Sequence, residues 1–175
     1  MVTPPRPTRR RTTIITTQPP TYAGGDYAVW GRRVAAYIID LAFLAPYYVL
    51  YWTVTTTHSD SSIGYMLFLF QAATFVFAVV NQIVLQGRTG ASLGKMALRI
   101  KVLDEDTGRP IGMLRTFLRG LMHFLDTISI GVGYLWPLWD RRRQTFADKV
   151  MGTVVIHRAT LAAQISAPFT AQSEA

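Results

Sequence analysis

The stretch RVAAYIIDLAFLAPYYVLYW, residues 33–52, decides the fold. Between residues 34 and 57 the chain carries one full charge, Asp40, in a run that is otherwise mostly aliphatic and aromatic. An α-helix rises about 1.5 Å per residue, so a run of this length can cross a hydrocarbon core of about 30 Å. The stretch therefore predicts a transmembrane helix over about residues 33–54.

Asp40 makes the insertion of this helix conditional. The eight strongly apolar residues of the helix contribute about −4 kcal/mol, whereas an aspartate at mid-bilayer costs roughly 3 kcal/mol. Arg33 lies two helical turns earlier on the same face, where it can reach the head groups while Asp40 stays inside. Two interpretations are open: Asp40 is an ionisable group on an ion or substrate path, or it is a carboxyl held by hydrogen bonds to a neighbouring helix.

A second span is predicted over residues 64–85, GYMLFLFQAATFVFAVVNQIVL, which contain no charged side chain. Asn81 lies seven residues before Arg88, just as Asp40 lies seven residues after Arg33. If both arginines mark the same face of the membrane, Asn81 and Asp40 lie at matching depth. We therefore expect these two side chains to face each other.

A third apolar segment covers about residues 120–139, but it is poorly suited to one straight helix. Gly131 and Gly133 loosen its middle, and Pro137 loosens its end. A single crossing would also place the basic run at 141–143 outside the cell, against the charge rule. We therefore favour a broken or re-entrant segment over a single crossing.

Arg119, His123 and Asp126 fall on one helical stripe of this region. We interpret the stripe as a hydrogen-bonded polar seam inside the helix bundle, with a proton relay or a head-group pocket as the alternative. The candidate polar partners inside the membrane are therefore Asn81, Gln82, Arg119 and His123.

The placement of Lys and Arg predicts the orientation. Residues 1–33 hold six arginines, residues 53–62 hold no Lys or Arg, and residues 88–119 hold seven. Cytoplasmic loops carry an excess of Lys and Arg, so we expect a multi-pass inner-membrane protein with a cytoplasmic N-terminus. The formal charge of +8 is then a topology signal, and no nucleic-acid partner is predicted. The predicted cytoplasmic basic face, suited to anionic lipid head groups, consists of Lys95, Arg99, Lys101, Arg141, Arg142 and Arg143.

The chain divides into three regions. Residues 1–25 form a basic Pro/Thr-rich tail that is expected to be disordered, residues 26–158 form the membrane domain, and residues 159–175 form a C-terminal tail. The predicted fold class is mainly α and integral to the membrane. It has two full transmembrane helices, a third broken or re-entrant segment, a small cytoplasmic β-hairpin or strand element and an amphipathic C-terminal helix.

The strand element is predicted from an alternation of apolar and basic residues at 98–102, followed by turn residues at 104–108. We expect a surface hairpin there, and the strand-like run at 152–158 can also pair with residues 99–103. Asp140 is expected to cap the amphipathic helix, which ends at Met151.

Four stretches together resemble the RDD family of bacterial membrane proteins: GRRVAAYIIDLAFL, GRTGASLGKMALRIKVLDEDTGRPI, LRTFLRGLMHFLD and LWPLWDRRRQTFADKVMGTVVIH. They cover about residues 29–157 and leave out both tails. The resemblance implies a multi-pass inner-membrane protein with a proposed link to transport and no established mechanism for most members.

The family is named for one arginine and two aspartates. The resemblance implies that the arginine is Arg33, with Arg32 as the rival, and that the first aspartate is Asp40. The second aspartate is Asp148 or Asp126.

Two functions follow as hypotheses. In the first, Asp40 binds a cation or proton in a transport-related protein, which needs a homo-oligomer or a larger membrane complex because two or three spans cannot enclose a path. In the second, the protein is an accessory or scaffold membrane protein that docks lipid or a partner protein through its basic face. We expect no enzymatic activity, no cofactor and no metal, since the three histidines lack paired spacing and the chain has no cysteine.

Overall fold

The computed structural model describes residues 20–57 and 61–166. The helices are α1 (Trp30–Ala42), α2 (Ala45–Thr57), α3 (Ser61–Val79), α4 (Gln86–Thr89), α5 (Leu93–Ala97), α6 (Gly112–Ile128), α7 (Val132–Leu135), α8 (Phe146–Met151) and α9 (Arg158–Ser166). The strands are β1 (Ile100–Asp104) and β2 (Thr153–His157). Most of the tail predicted to be disordered, the middle of the loop after the first span and the end of the C-terminal tail lie outside the described residues.

The first predicted span is a pair of helices. α1 and α2 meet at residues 43–44 with a bend of 46°. Pro46 is the second residue of α2 and has no N–H to donate to the carbonyl of Ala42, so the helical ladder is interrupted just before it. The bend therefore lies on the N-terminal side of the proline.

The second predicted span is one continuous helix. α3 runs through a π-helical turn, Val80–Leu85, into α4. Its stretch Gly64–Thr89 is long and apolar enough to cross a membrane, and only 6% of its most apolar window is buried within the structure. Side chains such as Met66 and Phe75 are exposed. Among the described residues, the bent pair α1–α2 passes the same test only when its halves count as one span.

The third predicted segment is broken in its middle. α6 ends at Ile128, and a tight turn with positive φ at Ile130 (56°) and Gly131 (80°) leads into the short α7. A 3-10 turn, Trp136–Leu138, follows. Because β1 precedes this segment and β2 follows it, and the two strands pair, the segment leaves from the sheet and returns to it.

β1 and β2 form a two-stranded antiparallel sheet, with Ile100 opposite His157 and Asp104 opposite Thr153. The predicted pairing with the run at 152–158 is thus present, whereas no return strand follows the turn at 104–108. β2 offers several fully buried apolar side chains, whereas the return segment contains Pro110, which cannot donate a ladder hydrogen bond. The core of the sheet consists of Ile100, Val102, Leu103, Val154, Val155 and Ile156.

The predicted C-terminal helix is shorter than expected. α8 begins at Phe146, and Thr145 caps it by accepting a hydrogen bond from the backbone N–H of Asp148. Asp140 is not the cap: its carboxylate instead accepts the N–H of Gln144 at 3.0 Å and closes a turn. α8 ends at Met151 as predicted, because Gly152 adopts the left-handed conformation that terminates helices. α9 was not predicted.

Candidate functional site

The carboxylate of Asp40 is buried and accepts four hydrogen bonds. Its Oδ1 accepts from Nδ2 of Asn81 at 2.9 Å and from the backbone N–H of Gly94 at 2.8 Å. Its Oδ2 accepts from Oγ of Ser92 at 2.6 Å and from Nε2 of Gln82 at 3.1 Å. A carboxylate has about four lone-pair sites, so these donors occupy the acceptor capacity of Asp40.

The start of α5 supplies two of these donors. Ser92 is the N-cap of α5, and its hydroxyl accepts from the N–H of Lys95 while donating to Asp40. Gly94 packs so closely on α1 that a Cβ at this position would overlap the carbonyl oxygen of Ala36. Neither residue is among the candidates that the sequence pattern predicts, and the signal that could have identified Ser92 is a serine directly before a short helix.

The π-helical turn Val80–Leu85 supplies the other two donors. A π-turn widens the helix, and here two consecutive side chains, Asn81 and Gln82, both reach Asp40. Oδ1 of Asn81 also accepts the N–H of Leu93 at 2.9 Å. Asn81 and Asp40, predicted to face each other, are thus brought together, and their contact joins α1, the π-turn and α5.

Asp148 forms the centre of a second network. Its Oδ2 accepts from Nη1 of Arg33 at 2.6 Å, and its Oδ1 accepts from Nε and Nη2 of Arg119 at 2.8 and 2.5 Å. The backbone N–H of Thr145 and the hydroxyl of Thr153 also donate to it, at 3.2 Å each. These contacts tie α1, α6, α8 and β2 together, and they involve Arg33 rather than its rival in the sequence, Arg32.

Opposing effects act on the ionisation of Asp148. Its complete burial alone would raise the pKa of the carboxyl. The adjacent charges of Arg119 and Arg33 outweigh this effect and hold the pKa well below its usual value. Asp148 is therefore an ionised carboxylate at neutral pH.

Asp126 forms a third contact set at the turn of the broken segment. Its Oδ2 lies 2.6 Å from Nδ1 of His123, and its Oδ1 accepts the N–H of Phe146 at 2.9 Å. A Cβ at Gly133 would lie 2.7 Å from Cα of Asp126, so only glycine permits this approach. The ring of Tyr134 stacks on His123 with centroids 5.6 Å apart. Asp126 and Asp148, both candidates for the second family aspartate, are thus both completely buried.

Lys95 lies apart from the basic face to which the sequence assigned it. It is partly buried, and its Nζ donates to Oε1 of Gln86 at 2.6 Å and contacts Oγ of Ser92 at 3.4 Å. It forms no ion pair among the residues that the structure describes. Burial, reinforced by the charge of Arg119, lowers the pKa of Lys95 to about 8. The other predicted members of the face are exposed or partly exposed: Arg99, Lys101, Arg141, Arg142 and Arg143.

Two cavities lie between α1 and α6. One, of about 430 Å³, is also bordered by α3 and the π-turn, and the other, of about 630 Å³, by α7 and β2. Four side chains line both cavities: Tyr37, Lys95, Arg119 and His123. Asp40, Asn81 and Gln82 line only the smaller cavity, and Arg33 lines only the larger one.

Comparison with known proteins gives a consistent result. The RDD family matches residues 27–152 of the chain. The chain is 39% identical over 155 residues to the proline-rich antigen homolog of Mycobacterium tuberculosis, a match covering 75% of this chain and 63% of that protein. It is 35% identical over 151 residues to the proline-rich antigen of Mycobacterium leprae, covering 74% and 61%. The chain thus spans less than two thirds of either relative's length. No solved structure matches it.

Proposed function

Because the chain belongs to the RDD family, we propose that it is a multi-pass protein of the bacterial cell membrane with its N-terminus in the cytoplasm. The apolar helix Gly64–Thr89 supports this proposal, since the side chains of its most apolar window are largely uncovered and need an apolar environment. The distribution of Lys and Arg supports the orientation. Cysteine labelling tests it directly, because the chain has no native cysteine. An Ala159→Cys variant is expected to react only from the cytoplasmic side, and Thr56→Cys only from outside.

Within the membrane, we propose that the protein is an accessory or scaffold protein without catalytic or transport activity. The observation that carries this proposal is the saturation of Asp40 by four donors at 2.6–3.1 Å. A carboxylate that binds and releases cations or protons during transport needs oxygen lone pairs that are not already occupied by hydrogen bonds. Asp40 instead holds α5 and the π-turn against α1 through these four hydrogen bonds.

The basic face is the surface through which this scaffold would dock anionic lipid head groups. Arg142 reaches Oε2 of Glu105 at 3.2 Å. Glu105 directly follows the end of β1, so this contact places residues 141–143 beside the sheet, which also carries Lys101, whereas Arg99 lies directly before the start of the same strand. Each basic side chain near an anionic surface contributes about 1 kcal/mol. In nanodiscs, replacing Arg141, Arg142 and Arg143 by Gln is expected to remove the increase in Tm that phosphatidylglycerol gives over phosphatidylcholine.

Transport is the second candidate, and the cavity of about 430 Å³ beside Asp40, Asn81 and Gln82 favours it. In this case Asp40 would bind a cation or proton, and a homo-oligomer or larger complex would complete the path. The variant Asp40→Asn separates the two candidates, with Asp106→Asn in an exposed turn as the control. The scaffold proposal predicts lower membrane abundance and no change in flux per molecule in proteoliposomes. Normal abundance with lost proton or cation flux would refute it and support transport.

A further inference from the structure

The larger cavity between α1 and α6 has a lining of one charge sign. Four of its lining side chains are cations or can become cations: Arg33, Lys95, Arg119 and His123. Among the described residues no Asp or Glu lines it, although the completely buried Asp148 pairs with both Arg33 and Arg119. Trp30, Tyr37 and Tyr134 supply aromatic walls. A concave site with several convergent cations and aromatic walls suits an anionic ligand.

Several donors on this lining are not used by the protein itself. Arg33 donates to Asp148 through Nη1, but its buried Nε and Nη2 atoms have no hydrogen-bond partner among the described residues. Among the residues that the structure describes, Nζ of Lys95 hydrogen-bonds only to the neutral oxygens of Gln86 and Ser92. Leaving a buried charged donor without a partner is unfavourable, so an oxyanion here would relieve a penalty that the protein otherwise carries.

The smaller cavity continues this site into apolar surroundings. It shares Lys95, Arg119 and His123 with the larger cavity, and its walls are formed by side chains such as Leu44, Phe77 and Ala78. Its one carboxylate, Asp40, is already saturated by four donors. The cleft is therefore cationic at one end and apolar at the other, which matches the chemistry of an anionic amphiphile.

We propose that the cleft between α1 and α6 binds a phosphate-class oxyanion at Arg33, Lys95 and Arg119, carried by an acyl amphiphile whose chain occupies the space beside Leu44, Phe77 and Ala78. The site is internal and separate from the basic face of the scaffold function. The proposal of this binding site goes beyond the scaffold function and does not depend on it.

The test uses the full chain purified in a non-ionic detergent. Thermal unfolding is followed while dihexanoyl phosphatidic acid, dihexanoyl phosphatidylcholine or inorganic phosphate is added. We expect a saturable rise in Tm with the phosphatidic acid and little or none with the phosphatidylcholine. In Lys95→Gln the apparent Kd for the phosphatidic acid is expected to rise at least about tenfold, because a charge-assisted hydrogen bond is lost. Lys95→Arg keeps the charge and should retain most of the affinity. Arg109→Gln, an exposed arginine that lines neither cavity, should behave as wild type.

A second variant separates a lipid from free phosphate. Ala78→Leu fills part of the apolar end, so the shift with the phosphatidic acid should shrink while any shift with inorganic phosphate is unchanged. Ala72→Leu, on the exposed surface of the same helix, is the matched control. If Lys95→Gln does not fold, the comparison of Ala78→Leu with Ala72→Leu still tests the proposal.

Equal shifts with the two lipids, or an unchanged affinity in Lys95→Gln, would overturn the proposal. Equal saturation by inorganic phosphate, with no effect of Ala78→Leu, would overturn the amphiphile and leave free phosphate as the ligand. Failure of the triple substitution at 141–143 to alter the increase in Tm that phosphatidylglycerol gives in nanodiscs would count against the scaffold function and leave this result untouched.

Discussion

Asp40 and Asn81 are 41 residues apart in the chain, yet Nδ2 of Asn81 donates to Oδ1 of Asp40 at 2.9 Å. The same asparagine accepts the backbone N–H of Leu93, so it contacts α1 and the start of α5 at once. The most apolar part of the helix Gly64–Thr89 is largely uncovered, and this side chain is one of the contacts that attach the helix to the rest of the protein.

Asn81→Leu should therefore weaken the whole assembly. It removes one donor to Asp40 and leaves the N–H of Leu93 without its acceptor, which should lower the free energy of unfolding by about 2–4 kcal/mol. Thermal unfolding in detergent measures the change. Gln71→Leu, on an exposed position of the same helix, is the control and should leave Tm nearly unchanged. Equal Tm values in the two variants would contradict the role of Asn81.

Asp148→Asn should be among the most damaging substitutions in the chain. It would leave Arg33 and Arg119 buried without the carboxylate that pairs with both, and breaking a buried pair in this way costs about 3–5 kcal/mol. Asp106→Asn, in an exposed turn, should change stability by less than about 0.5 kcal/mol. Denaturant unfolding compares the two variants, and a small effect of Asp148→Asn would mean that the arginines find other partners.

Acid should destabilise the protein through the same aspartate. The pKa of Asp148 is lowered in the folded state, so below about pH 4 this carboxylate becomes protonated in the unfolded chain while it stays ionised in the folded protein. The stability from this group is complete above that pH and decreases as the pH falls further. Asp104 adds to the same trend, because its hydrogen bond with Arg115 lowers its pKa despite the opposing effect of burial. The slope of stability against pH between about 4 and 2 should be smaller in Asp148→Asn.

Lys95 should make stability depend on pH in the alkaline range as well. Its pKa in the folded protein is about 8, below the value of an unfolded lysine, so the folded protein releases the proton first. Stability should therefore rise as the pH increases from about 8 to about 10.5, and Lys95→Gln should flatten this rise. The groups whose charges act on Lys95 are Arg33 and Asp40 from α1, Arg119 from α6 and Asp148 from α8. Titration of Tm over this interval in both proteins is the measurement, and equal slopes would contradict it.

Gly94→Ala tests the contact between α5 and α1. The added Cβ would overlap the carbonyl oxygen of Ala36, which is backbone and cannot move aside, so we expect a loss of about 1–3 kcal/mol. Gly120→Ala is the natural control: a Cβ there meets nothing within 4 Å, and alanine is the better helix former. A stabilised or neutral Gly120→Ala beside a destabilised Gly94→Ala is the expected pattern, measured by thermal unfolding. Two neutral variants would mean that α5 can shift away from α1.

The sequence predicted the elements that depend on composition and spacing. The apolar runs follow from composition, and the break near Gly131 and the end of α8 before Gly152 follow from the position of glycines. The approach of Asn81 to Asp40 follows from the equal spacing of these two residues from Arg88 and Arg33. These signals are local, or they measure how far a residue lies along the chain from an arginine at the membrane surface. They predicted the contact of Asp40 with Asn81 but not its contacts with Ser92 and Gly94.

The rest depends on tertiary contacts that spacing does not encode. The burial of Lys95 could not be predicted, because a lysine in a polar loop is normally solvated. The pairing of β1 with β2 was predicted only as one of two possibilities, since a nearby turn offered a local partner. Arg33 and Arg119 meet at Asp148 only because α1, α6 and α8 pack together. No pattern along the chain predicts this contact.

The pairing of β1 with β2 also has a consequence for synthesis. β1 leaves the ribosome well before β2, so the backbone edge that pairs with β2 has no partner while the segment between the two strands is synthesised. The helices α6 and α7 are therefore complete before the strand pair that joins the two ends of their segment can form. Nascent chains that end before residue 153 consequently carry an unpaired strand edge.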